Sequence, residues 1–394
     1  MGRPSVLDRL DASVSFSPEE AMLLENVRAL ATHEIGPRAA AHDENSAFPW
    51  GNVGAINALG LNAMFVPEAY GGAPLSYVAY LAAVREISAA CASTGIIWAT
   101  TFHAMRPVIA FGATALKERL LPKIAAGALG ALAITEPEAG SDATAMTTRF
   151  REDGDSIVID GRKSFITNGD VADAILVFGK WAGIADPRKA ITAIVVEKGA
   201  AGLSVLRTEQ KLGHRASSTA ALAFDECLVP RGNLVGGPGE GLRILLASLN
   251  TSRPSVAAHA LGIARAAFTD AVTYVNERRQ GGSRVIDHQA IQTKLADHAA
   301  DLALTEAWLW HVGRLVDAGA EDFAVEASIL KLRASDLAMR VATDAVQLFG
   351  GYGYCQDFRV ERLFRDAKVT QIWEGTNEIH RQFIGRSFRE ARDG

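Results

Sequence analysis

"SIVIDGRKSFIT", residues 156–167, changes the period of the chain. Its β-branched and aromatic residues stand in two short runs, "SIVID" and "KSFIT", and Asp160-Gly161 between them predicts a turn. The runs "DAILVFG", "ITAIVVEK", "LSVL" and "AALAFDECLVP" follow, each bounded by turn residues. A compact sheet unit is therefore expected over residues 130–236.

Both flanks read as helix. In "SPEEAMLLENVRAL", Ser17 is placed to cap, Pro18 suits a first helical position and Glu20 completes a capping box. Leu23, Val27 and Leu30 then mark one face, and the pattern recurs in "AYLAAVREISAACAS" and "ATALKERLLPKIAAG", with "VPEAYGGAP" as a loop between the first segment and these. After "GGPGEG", Ile291, Leu295, Ala299, Leu302 and Leu309 again keep a single helical face. Pro254 lies inside another long helical pattern, where it marks a kink or a start. The expected class is α+β: an α-helical domain over 1–129, the β-domain, and a helical bundle over 237–394.

The composition, 48% hydrophobic and 22% charged, is that of a globular chain. A net charge of −5 without a long basic run lacks the footprint of a nucleic-acid binder. Cys91, Cys227 and Cys355 are widely spaced and make neither a disulfide framework nor a zinc pattern, which points to a reducing compartment and a cytoplasmic location. The N-terminus has no apolar signal core, and Val6 breaks the myristoylation pattern after Gly2. Ile87–Met105 has no Lys, Arg, Asp or Glu, but its Ser, Thr and His content favours a buried helix over a membrane span.

No dinucleotide-binding glycine motif, P-loop, nucleophile elbow or paired metal spacing occurs, so no metal is expected. Glu374, in "QIWEGTNEIH" (371–380), stands just ahead of a helix that Thr376 could cap; taken alone it reads as a solvent-facing acid. Arg278 taken alone reads as a solvated helix-end charge, and "FGGYGYC" (349–355), with Gly350 and Gly351, as a tight turn rather than a ligand cradle.

Four segments, "AITEPEAGSDA" (133–143), "GRKSFITNGDVAD" (161–173), "ERRQGGSRVIDHQAIQTKLAD" (277–297) and "QLFGGYGYCQDFRVERLFRDAKVTQIWEGTNEI" (347–379), resemble in order and spacing the motifs of the acyl-CoA dehydrogenase family. "VPEAYGG" and "KLGHRASST" extend the resemblance over almost the whole chain. It implies that family's fold, with a C-terminal four-helix bundle, and FAD as cofactor. Leu132, Ile134, Thr135, Gly140 and Ser141 would line one side of the flavin, Ser141 touching substrate too, while Phe165, Ile166 and Thr167 form the other wall. Arg278, Gln280, His288, Gln289, Gln347, Gly350 and Gly351 would hold the diphosphate and adenosine across a subunit boundary, and Thr376 and Glu378 meet FAD next to the base.

By the same resemblance Glu374 is the base that removes the α-proton of an acyl-CoA while hydride leaves the β-carbon for flavin N5. The alternative base position of the family, just before Arg253, is Ser252 here, which cannot serve. Asn250, Arg253, Gly375 and Arg386 match substrate-binding positions. Gly281 replaces a usual Phe near the adenine, and "STGIIWATTF" has no Arg at the base of the acyl pocket, which disfavours the decarboxylating glutaryl branch. Trp98 and Phe102 either shorten the acyl pocket or simply pack in the core. The implied partners are an electron-transfer flavoprotein and further copies of the chain as a dimer of dimers, with no nucleic acid or membrane. A flavin-dependent monooxygenase or a vestigial flavoprotein of the same fold is the competing reading, and the acid at 374 argues against both.

Overall fold

The computed structural model describes residues 6–389, so Gly2 lies outside the described residues. Among the described residues seven α-helices come first: α1 (Val6–Ala12), α2 (Pro18–Leu30), α3 (Gly36–Glu44), α4 (Trp50–Ala58), α5 (Tyr77–Ala90), α6 (Ala92–Phe111) and α7 (Thr114–Ala125). At the start of α2 the Ser17 side chain accepts from Glu20 N and the Glu20 carboxylate accepts from Ser17 N, the expected reciprocal cap. The uncharged stretch 87–105 is two helices, because Cys91 takes an extended conformation (φ −153°) between α5 and α6. Among the described residues no helix is long and apolar enough to cross a membrane.

The strands are β1 (Gly130–Ala133), β2 (Arg149–Asp153), β3 (Ser156–Thr167), β4 (Ala174–Trp181), β5 (Ile191–Glu197), β6 (Leu203–Thr208), β7 (Thr219–Pro230) and β8 (Leu234–Val235). They form one sheet in the order β6-β7-β3-β2-β4-β5-β8, with β1 pairing in parallel with β4. Both faces of β4 are buried: Ile175 and Val177 join the core of the β-domain, whereas Leu176 and Phe178 join the large helical core. The two-residue period of a strand thus ties the sheet to the helices.

The expected turn at Asp160-Gly161 does not exist. β3 runs unbroken across it, and the hairpin turn lies earlier, at Gly154 (φ +59°), where Asp153 pairs with Ser156. Gly161 instead answers a steric demand: a Cβ there would stand 2.5 Å from Thr148 Oγ1. The irregularity appears as a shift in the β3–β7 register between Ile159 and Gly161, a bulge rather than a reversal.

After the sheet come α8 (Gly241–Glu277), a two-residue pair β9 (Arg279–Gln280) and β10 (Ser283–Arg284), α9 (Gln289–Asp317), α10 (Ala324–Phe349), α11 (Val360–Val369) and α12 (Asn377–Ser387). Helices α8, α9, α10 and α11 pack as a four-helix bundle, and α12 lies against α10. α8 continues through Pro254 and reaches both α5 and α6, so it belongs to the cores of both helical regions. The architecture is α+β, with the sheet between two helical regions in chain order.

A buried ion pair fixes the end of β1 against β3. Glu136 is 4% exposed and accepts from the backbone N–H and hydroxyl of both Thr147 and Thr148, at 2.6–3.0 Å. Lys163 Nζ, fully buried, donates to Glu136 at 2.8 Å and to the Ile134 carbonyl at 2.9 Å. Burial opposes the charge on Glu136, but Lys163 and the four donors outweigh it and hold the carboxyl down at about 2, against 4.5 for an unperturbed Glu. A depressed carboxyl stabilises the fold above its unfolded value and ceases to do so as pH falls through its folded value. Glu136→Gln should therefore melt below wild type at pH 6, with the gap closing between pH 4.5 and about 2 in a thermal-denaturation series.

Candidate functional site

Between α11 and α12 the chain makes two consecutive left-handed residues, Glu374 (φ +54°) and Gly375 (φ +91°). Such a conformation is unfavourable for Glu and persists only where neighbours hold it. Two do so: His380 Nε2 donates to the Glu374 carbonyl at 3.1 Å, and Lys331 Nζ donates to the Gly375 carbonyl at 2.7 Å. Lys331 reaches on to Asn377 Oδ1 at 3.0 Å, and Thr376 caps α12 by accepting from Ile379 N. Among the described residues neither Glu374 nor Gly375 commits its N–H to a backbone hydrogen bond.

The Glu374 side chain is half-buried and turns back toward α8, where the Ser252 hydroxyl donates to Oε2 at 2.5 Å. Glu374 and Ser252, the two positions that the resemblance in sequence singled out for a base, thus face each other, one as the acid and one as its hydrogen-bond donor. Its charge acts on two basic groups close by. Lys331 is completely buried, and burial pulls its ammonium down to about 7 although Glu374 favours the charged form. Arg253 donates to Ser328 Oγ at 3.3 Å, lies over the Phe383 ring at 5.9 Å, and leaves its Nε without a protein partner. Burial, reinforced by Arg253 and Lys331, lowers His380 to about 3, so it is neutral and its ring N–H serves the turn. Asn250 is half-buried three residues before Arg253 on α8, and Arg386 is exposed three residues beyond Phe383 on α12.

The cofactor candidates fall into two groups. On the sheet, Leu132 lies within β1, Ile134 and Thr135 follow it, and the Thr135 carbonyl accepts from Ser164 N at 2.9 Å, which sets it beside Phe165. Ile166 is buried and Thr167 half-buried, but the Phe165 ring is 64% exposed, at a left-handed residue (φ +59°). A rigid strand end presenting a bare aromatic face suits a flat aromatic ligand. Gly140 and Ser141 are exposed on the loop after β1, and a Cβ on Gly140 would meet nothing within 4 Å.

At the end of the bundle, Arg278, Gln280, His288, Gln289, Gln347, Gly350 and Gly351 are all exposed. Arg278 lies 5.5 Å from the Tyr352 ring centroid, and His288 sits 3.3 Å from the Gln280 carbonyl. A Cβ on either Gly350 or Gly351 would meet nothing within 4 Å, so the backbone there is open to a ligand. Gly281 (φ +60°) and Gly282 (φ +84°) form the two-residue turn between β9 and β10, which explains the missing Phe: a side chain there would be strained. An exposed aromatic face, an open glycine backbone and a guanidinium fit the ring and diphosphate of FAD. Among the described residues of one chain, no hydrogen bond, ion pair or ring contact joins this group to the sheet group.

Lys331, His380 and the contact of Ser252 with Glu374 escaped sequence reasoning. A Lys within an amphipathic helix reads as a solvated charge; the one available signal was that Lys331 falls on the apolar face of α10, between Leu330 and Ala334. Trp98 and Phe102 belong to a buried aromatic cluster in which the Phe102 and Tyr80 rings stack at 4.3 Å and Trp98 donates to Asn62 Oδ1. Tyr80 meets Ser255 at 2.9 Å and Tyr77 donates to the Thr251 carbonyl, so this cluster abuts the turns of α8 around Ser252. Among the described residues no group of His, Cys, Asp or Glu is arranged to hold a metal ion.

Family models for the N-terminal, middle and C-terminal domains of acyl-CoA dehydrogenase match residues 17–128, 131–227 and 239–388. An acyl-CoA dehydrogenase of Bacillus subtilis is 41% identical over 93% of this chain and 97% of its own. Among solved structures, butyryl-CoA dehydrogenase from Megasphaera elsdenii is 34% identical, with a TM-score of 0.92 over 95% of this chain and 99% of its own. A chain solved in work on the electron transferring flavoprotein of Acidaminococcus fermentans is 36% identical, with a TM-score of 0.93 over 96% of this chain and 100% of its own.

The left-handed turn is testable by itself. Gly375→Ala places a Cβ at φ +91° and 3.2 Å from His380 Nε2, and should cost about 1–3 kcal/mol in chemical denaturation. Gly140→Ala, with open space and no positive φ, should stay within about 0.5 kcal/mol of wild type.

Proposed function

The chain belongs to the acyl-CoA dehydrogenase family, and from that premise we propose that it introduces the α,β double bond into a short or branched acyl-CoA, with Glu374 as the base. The observation that carries the assignment is the Glu374 carboxylate at the end of a strained, doubly anchored turn, opposite Ser252 on α8. A carboxylate in that place takes the α-proton, and its hydrogen bond from Ser252 sets which oxygen faces the substrate. The uncommitted Glu374 N–H is a donor for the thioester carbonyl, whose polarisation acidifies the α-carbon. Removal of the proton from one carbon and of hydride from the next leaves the enoyl thioester.

FAD is the proposed cofactor. When bound it supplies the acceptor for the hydride equivalent from the β-carbon. Phe165, Ile166, Thr167, Thr135 and Ser141 would hold its ring, with Leu132, Ile134 and Gly140 behind them, and Thr376 and Glu378 would meet it beside the base. Arg278, Gln280, His288, Gln289, Gln347, Gly350 and Gly351 would hold the diphosphate and adenosine of a second copy's FAD, since the two groups do not meet within one chain. That division requires at least a dimer, and we propose a dimer of dimers. Arg253, Asn250, Gly375 and Arg386 would receive the CoA thioester. An electron-transfer flavoprotein is the proposed acceptor, by likeness to the chain from the Acidaminococcus fermentans work, and the cytoplasm the proposed location.

A short acyl group is favoured by the aromatic cluster of Tyr77, Tyr80, Trp98 and Phe102, which fills the space against α8 beside Ser252. The likeness to a butyryl-CoA dehydrogenase agrees with it.

Anaerobic titration of the yellow protein with acyl thioesters is the direct test. Butyryl- or isobutyryl-CoA should bleach the flavin absorbance faster than octanoyl-CoA; the reverse order would remove the short pocket. Glu374→Gln should keep its flavin yet lose about 10²- to 10⁴-fold in turnover, the usual worth of a positioned general base. Wild-type turnover in that variant would dismiss Glu374 as the base.

A further inference from the structure

The residue next to Glu374 sits in a buried polar cluster. Trp373, the residue before Glu374, packs against two imidazoles, with ring centroids 5.1 Å from His214 and 5.6 Å from His259. His259 stands on α8 two turns beyond Ser252, His214 on the loop between β6 and β7, and His103 on α6. All three histidines are at least nine-tenths buried, at 3%, 0% and 4% exposure for His214, His259 and His103. His103 lies against the same helix, its carbonyl accepting from Ser248 Oγ at 3.4 Å, one turn before Ser252 on α8, and its ring stands 6.2 Å from that of Phe102.

The internal hydrogen bonds do not close this cluster. His214 Nε2 meets His259 Nε2 at 2.8 Å, and His259 Nδ1 meets Ser88 Oγ at 2.8 Å. Whichever ring donates across the first bond, His214 Nδ1 is left over: as an N–H if His259 donates, as a lone pair if His214 does. Asp366 Oδ1 takes the His214 backbone N–H at 2.5 Å but lies 3.7 Å from Nδ1, too far for a hydrogen bond. His103 Nε2 and the Trp373 indole N–H are likewise buried without a protein partner. Three unpaired polar atoms buried around α8 and Trp373 are costly unless something else pairs them.

We propose that the acyl group of the natural substrate carries a neutral oxygen function, a hydroxyl or keto group, beyond its β-carbon, and that Trp373 Nε1, His103 Nε2 and His214 Nδ1 receive it. The inference rests on the dehydrogenase reading and narrows its substrate. A carboxylate is the weaker fit. Burial holds His103, His214 and His259 neutral, Lys331 is engaged with Gly375 and Asn377, Arg253 lies toward Ser328 and Phe383 where it would receive the CoA part, and a second anion would face Glu374. A hydroxyl can both accept from the indole and satisfy His214 in either tautomer, and a keto oxygen can accept from two donors.

The test uses matched pairs of thioesters on the flavin-loaded enzyme, followed by anaerobic bleaching: 4-oxopentanoyl-CoA against 4-methylpentanoyl-CoA, and 5-hydroxypentanoyl-CoA against hexanoyl-CoA. In at least one pair the oxygenated member should have the higher kcat/KM by about tenfold or more, as expected where a site's buried polar groups go unpaired with the analogue. His103→Leu and His214→Leu should each draw that ratio toward one. Apolar members equal to or faster than their oxygenated partners in both pairs would overturn the proposal, as would a ratio untouched by both substitutions. The wild-type comparison needs no variant to fold. Failure of every thioester to bleach the flavin would instead strike the dehydrogenase reading itself.

Discussion

The close approach of α8 to α5 is the constraint on which the site depends. A Cβ on Gly262 would stand 2.4 Å from the Arg85 carbonyl and 2.9 Å from Ser88 Cβ, and one on Gly95 would stand 2.1 Å from Ser88 Oγ. Only the bare backbone at these two points lets α8 and α6 settle on either side of Ser88. α8 then carries Ser252 to Glu374, Arg253 to Phe383 and His259 to Trp373. The same contact surrounds Arg85, 2% exposed, which donates to Asp11 and Glu86 and lies 3.5 Å from Glu306. A charge so enclosed tolerates little displacement, because losing one partner strands the others in a poor solvent.

Around Glu374 stability has been traded for position. A left-handed Glu, a fully buried Lys331, and buried imidazoles at His103, His214, His259 and His380 are each unfavourable in isolation. They are tolerated because they restrain one another: His380 and Lys331 take the two carbonyls that the left-handed turn presents, and Asn377 joins Lys331 to Ser335. The result is a carboxylate whose backbone cannot relax without breaking hydrogen bonds inside a water-poor core. Such a support is what a base needs if it is to meet a carbon acid at short range.

The order of helices, sheet and helices was legible because each relies on a local pattern, as in the single face of Leu23, Val27 and Leu30 in α2 or the short continuous apolar run of β4. So were the cap at Ser17 and that at Thr376, which need only residues three apart. The Gly161 turn was misread for the same reason. Asp-Gly is a turn signal in isolation, but here the glycine makes room for Thr148, a demand no neighbour in sequence announces. Glu374 was found through an ordered set of motifs rather than through its surroundings, which are assembled from α6, α8, α10 and α12.

The sequence alone therefore determined the α+β class and the succession of helical, sheet and helical segments, since these are written in periodicity and in residues near one another along the chain, whereas the candidate base came from the resemblance of its ordered motifs. Tertiary structure alone decided that Ser252 faces Glu374 across 122 positions, that Lys331 is buried rather than solvated, and that two histidines from distant segments flank Trp373. Burial and long-range contact set the charge state and hydrogen-bond partners of a polar side chain, and neither is a property of the residue or of its neighbours in sequence.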